Sequence, residues 1–88
     1  MALRLDARYG LDPQVALRPE PFGALCYHYG NRRLTFLKSP DIVAVVQALG
    51  DNETVASALQ SCRIDEARWP AFVTALSSLE ASELIHER

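Results

Sequence analysis

The 88-residue sequence has no apolar run near the ~20 residues that a membrane-spanning helix needs. Its first ten residues carry Arg4, Asp6 and Arg8, so they lack the continuous apolar stretch of a secretory signal. A cytoplasmic protein is expected. Cysteine is scarce. Cys26 and Cys62 stand far apart, show no CxxC or other ligand spacing, and are expected to be reduced, part-buried side chains. With only His28 and His86 to join them, a metal site is not expected. There is no glycine-rich phosphate loop and no cysteine run for an iron–sulfur cluster. Neither histidine has a Ser, Cys or carboxylate in a triad-like spacing, so neither a catalytic residue nor a cofactor is expected. Cys26 and His28 share a strand face only because alternate residues must.

Charge of one sign is also missing. The net charge is −2, but residues 1–38 hold six basic and three acidic groups, whereas residues 39–88 hold three basic and eight acidic ones. A general nucleic-acid binder would carry a stronger positive field. A locally basic region facing an acidic partner is compatible with this balance.

One domain of this length has a modest core, because it buries only about 60–65% of its unfolded surface. Residues 1–14 show no period, are interrupted by Gly10 and Pro13, and read as a flexible or loosely docked arm. Val15 to Arg18 is a short strand closed by "PEPFG". Ala24 to Tyr29 and Arg32 to Lys38 flank Gly30-Asn31, a two-residue hairpin signal. That turn sets Tyr27 opposite Leu34 and Leu25 opposite Phe36. The four form one apolar face, read as the core face, so that Phe36→Asp would unfold the domain. Cys26, His28, Arg33 and Thr35 fall on the other, more polar face, where Leu37 breaks the alternation.

"SPDIVAVVQALG" has a Ser39 cap, Pro40 in the first turn, Asp41 at the positive end of the dipole, and Gly50 as its stop. Ile42, Val45, Val46 and Leu49 make its stripe. A second helix starts after Thr54. In the third, Trp69, Phe72, Val73, Leu76 and Leu79 recur at helical spacing after a cap at Asp65. The end, Glu83 to Arg88, is expected either to add a short strand around Leu84-Ile85 or to fray. The order makes an α+β domain over 15–88, a three-stranded antiparallel sheet followed by three helices, in two layers.

In such a meander the third strand, Leu34 to Leu37, lies at an edge whose unpaired backbone groups must be solvated, covered or paired. An extended peptide, the chain's own arm or a second copy would each satisfy it. If a peptide adds there, Leu37→Pro is expected to remove an edge donor and weaken its binding.

The segment Val15 to Lys38, "VALRPEPFGALCYHYGNRRLTFLK", closely resembles the peptide-chaperone family of mycofactocin biosynthesis. More broadly, the chain from about Pro13 to Ile85 is similar to RiPP recognition elements, which include the chaperone of pyrroloquinoline quinone biosynthesis. The resemblance implies a winged helix-turn-helix-like fold that binds no DNA. It implies capture of a precursor-peptide leader as an added strand on the third strand, against the third helix. The implied peptide-binding residues are Arg33, Leu34, Thr35, Phe36, Leu37 and Lys38, with Trp69, Phe72, Val73 and Leu76 as helix candidates, some of which must belong to the core. Arg32, Arg33 and Lys38 would meet leader carboxylates. The implied second partner is a radical S-adenosylmethionine maturase. It decarboxylates and then crosslinks a C-terminal Val-Tyr of the precursor, with the chaperone contributing no chemistry of its own. The alternatives are a small winged-helix DNA-binding protein and a homodimerising module. The first would need Lys or Arg on its recognition helix, and the helix from Trp69 to Ala81 has none.

Overall fold

The computed structural model describes residues 3–88. Strands β2 (Val15–Glu20), β3 (Gly23–His28) and β4 (Leu34–Leu37) form an antiparallel sheet in that order. Helices α1 (Pro40–Ala48), α2 (Val55–Ser61) and α3 (Trp69–Ala81) follow. A second small sheet joins β1 (Tyr9–Leu11) to β5 (Ile85–Glu87). The domain is α+β, with a three-stranded antiparallel sheet and three helices.

Local signals act as their chemistry requires. Ser39 Oγ accepts from the Asp41 N–H at 3.2 Å, and Thr54 Oγ1 accepts from the Ser57 N–H at 3.0 Å. Asp65 caps a 3₁₀ turn that leads into α3, which leaves Pro70 in the first turn. Gly50 is the exception. Helix α1 runs on into a 3₁₀ turn, Leu49–Asp51, and Gly50 sits inside it without a left-handed backbone.

The hairpin register pairs Leu25 with Phe36 and Tyr27 with Leu34, as expected. The turn itself is longer. The His28 N–H donates to the Arg33 carbonyl, the Arg32 N–H donates to the His28 carbonyl, and Arg32, not a glycine, takes the positive φ. Gly23, at the start of β3, does need to be glycine. Its φ is 150°, and a Cβ there would strike the Leu37 carbonyl oxygen.

The faces of the sheet are the reverse of the expectation. Ala24, Cys26, His28 and Leu37 point into the core, while Leu34 and Phe36 are exposed. The physical reason is size. Ala24 and Cys26 are small and fully buried, so α1 can lie close against β3 and β4. Leu37, which broke the alternation, is the large core residue that β4 supplies.

His28 can sit inside because its polar atoms are satisfied. Its Nδ1 accepts from the Gly30 and Asn31 N–H groups at 3.0 and 3.1 Å, and its Nε2 lies 3.5 Å from Asp12 Oδ2. Asp12 is the carboxylate partner that local spacing did not reveal. Its Oδ2 also meets His86 Nε2 at 2.6 Å, and its Oδ1 accepts from the Gln14 N–H at 2.7 Å. The Gln14 N–H is the main reason that the Asp12 carboxyl titrates below the ordinary 3.8. Partial desolvation opposes the shift, and His86 and His28 assist it. A carboxyl depressed in the folded state stabilises the fold above its unfolded pKa. That stability is lost as pH falls through the lower folded value. Urea-unfolding midpoints are therefore expected to decline below about pH 4, and Asp12→Asn should shrink that decline.

Residues 3–14 of the arm pack against the rest of the chain. Leu3, Ala7 and Tyr9 are buried. The Val55 and Ala56 N–H groups donate to the Ala7 and Leu5 carbonyls, both at 3.0 Å, and β1 pairs with β5. These contacts all reach residues far along the chain, so they leave no local period.

Candidate functional site

The free side of β4 is the open edge of the three-stranded sheet among the described residues. The opposite edge, β2, is blunted by Arg18, Pro19 and Glu20, whereas Leu34–Leu37 carries neither proline nor charge. The ladder fixes which groups face outward. His28 and Arg33 form a hydrogen-bonded pair, and such pairs alternate with non-bonded ones along an antiparallel register. Thr35 and Leu37 therefore turn their backbone groups toward β3, and Leu34 and Phe36 turn theirs toward the free edge. The Leu37 N–H is not an edge donor. Leu37→Pro would break the sheet from within, contrary to the expectation from sequence.

Beyond the C-terminal end of this edge lies a mostly apolar groove of about 270 Å³. It is lined by Lys38, Ser39 and Ile42 on one side and by Arg68, Ala71, Phe72 and Ala75 on the other. Helical spacing brings the second set to one flank of α3 and its leading turn. The Arg68 guanidinium lies 5.2 Å from the Phe72 ring centroid and pairs with Asp41 at 2.9 Å.

Of the four helix candidates, Phe72 alone lines this groove. Leu76 is fully buried. Trp69 and Val73 pack half-buried against the core, and the Trp69 indole N–H donates to the Ile64 carbonyl at 2.9 Å. Ile42, Arg68, Ala71 and Ala75 were missed. The available signal was the pair of alanines four residues apart on the margin of the helix stripe, where small side chains leave room. Arg33 and Lys38 are exposed near the two ends of β4. Cys26 is buried, and burial pushes its thiol pKa up, away from the thiolate that a nucleophile needs.

The open strand edge and the apolar groove beyond it are the candidate site of a small α+β module. A model of the MftB peptide chaperone family matches residues 8–86. Peptide chaperone MftB of Mycobacterium tuberculosis is 46% identical over 83 residues, covering 94% of this chain and 76% of the relative. The protein of that name from Mycolicibacterium smegmatis is 41% identical over 80 residues, covering 91% and 78%. No solved structure matches. The chain belongs to the MftB family of peptide chaperones.

Proposed function

We propose that this protein binds the leader of a ribosomally made precursor peptide by strand addition at β4 and presents it to a radical S-adenosylmethionine maturase in mycofactocin biosynthesis. The observation that carries the reading is the continuity of the free β4 edge with the groove between α1 and α3. A leader strand would bond to the outward groups of Leu34 and Phe36. Its next residues would enter the groove over Ile42, Ala71, Phe72 and Ala75. Backbone bonds then supply affinity, and the groove supplies selectivity. Arg33, Lys38 and Arg68 form a basic rim that favours an acidic leader and speeds encounter. Holding the leader raises the effective concentration of the precursor's reacting end at the maturase, and the chemistry belongs to the maturase. In this reading the fold is a winged helix-turn-helix turned to peptide binding in the cytoplasm, and α3 carries no cation with which to read DNA.

The test is a titration with a synthetic leader, followed by backbone amide shifts and by Trp69 fluorescence. Saturable shifts are expected at Leu34, Phe36 and the groove residues. Saturable shifts confined to β2, or none at millimolar leader, would overturn strand addition at β4.

A further inference from the structure

Arg68 borders the groove, but it is not a free cation. Its Nη2 donates to Asp41 Oδ2 at 2.9 Å, which ties the turn before α3 to the first turn of α1. Its guanidinium also lies over the buried Phe72 ring, 5.2 Å from the centroid.

The pair with Asp41 is built for exchange. It uses one N–H of the guanidinium fork, and among the described residues Arg68 makes no other side-chain hydrogen bond. A carboxylate that met the fork squarely would gain a second bond. Both partners are about half exposed, so water screens their attraction. A released Asp41 is not stranded, because it stays at the positive end of α1. Phe72 meanwhile holds the guanidinium in position from below. The groove therefore joins an apolar lining of Ile42, Ala71, Phe72 and Ala75 to an oriented cation with unused donors.

We infer that Arg68 is a carboxylate subsite, at which an acidic side chain of the leader displaces Asp41 while an adjacent leader residue packs an apolar side chain on Phe72. Asp41 holds the place of that side chain in the free protein. A leader with a carboxylate exchanges a weak pair for a better one, and a leader without one leaves Asp41 where it is. The inference rests on leader capture at β4 and deepens it, from steering by a basic rim to recognition at one residue.

The experiment is calorimetric titration of the full chain and of Asp41→Asn, Arg68→Gln and the double variant. The probes are the synthetic leader and the same leader with every Asp and Glu replaced by Asn and Gln. Ser39 caps through the backbone N–H of residue 41, so Asp41→Asn keeps that bond, and circular dichroism checks the fold of each variant. Asp41→Asn is expected to tighten binding of the unaltered leader about threefold at low salt. The gain should fade near ~0.5 M salt, where screening shortens to a few ångströms. Arg68→Gln should weaken binding about tenfold, as loss of a charged hydrogen-bond partner does. In the double variant the gain from Asp41→Asn should vanish. Affinity for the neutral leader should change by less than about twofold throughout, as for substitutions away from a contact. No gain from Asp41→Asn would overturn the subsite. So would a gain that persists without Arg68 or that the neutral leader shares, since Asp41 would then act only through the general field. In each of those cases the unmutated chain still binds the leader, and capture at β4 stands. An unmutated chain that binds neither leader removes the proposed function itself.

Discussion

Phe36→Pro is expected to weaken leader binding about tenfold or more while the domain stays folded. The Phe36 N–H faces the free edge, because Leu25 and Phe36 are a non-bonded pair in the ladder. Proline there removes one outward donor and leaves the β3–β4 bonds intact, as edge strands tolerate. The lost bond and the leader carbonyl left without a partner together cost about 1–3 kcal/mol, or about 5- to 150-fold in affinity. Phe36→Ala separates the side chain from the backbone, since it keeps the N–H and loses the ring. Leu37→Pro is the control that should fail differently. It removes a ladder bond inside the sheet at a buried position, and it should destabilise the fold itself rather than leader binding alone. Calorimetric titration of the three variants, with circular dichroism for folding, gives the comparison. A Phe36→Pro variant that folds and binds the leader as the unmutated chain does would exclude strand addition at β4.

The second large effect contrasts two aromatic residues. Tyr9→Ala is expected to cost about 3–5 kcal/mol of stability, as large buried side chains do. Tyr9 is 3% exposed in β1, and burial raises its hydroxyl pKa above the ordinary 10. Its strand is the partner of β5, so the loss would also loosen the buried Ile85. Phe36→Asp should change stability by less than about 1 kcal/mol, because the carboxylate would remain in water on the outer face. Denaturant unfolding of both variants decides the matter. A Phe36→Asp chain that unfolds while Tyr9→Ala does not would restore the opposite facing of the sheet and the loose arm.

What residues 15–81 determine by themselves is local. Ser39, Pro40 and Asp41 start α1, Thr54 starts α2, and Asp65 leads into α3, because a cap needs only a side chain within three residues of its donor. The register of β3 and β4 was legible for a related reason. The closing turn spans few residues, and its count survives even though four residues, not two, make the bend. The segment Val15 to Lys38 also carried the family resemblance, which the match over residues 8–86 bears out.

Facing was decided only by tertiary structure. A period of two sorts residues into two faces but cannot say which is covered. Larger hydrophobic side chains suggested Leu25, Tyr27, Leu34 and Phe36, but helices settle where backbones can approach, over Ala24 and Cys26. Burial of His28 required Asp12 and the turn amides, and docking of the arm required α2, α3 and β5. The groove had the same origin. The stripe of α3 ran through Leu76 and Val73 to the core, and its alanine margin became a cleft only when α1 was laid opposite. Each of these outcomes depends on which distant segment arrives beside a residue, and no residue's neighbours in sequence contain that information.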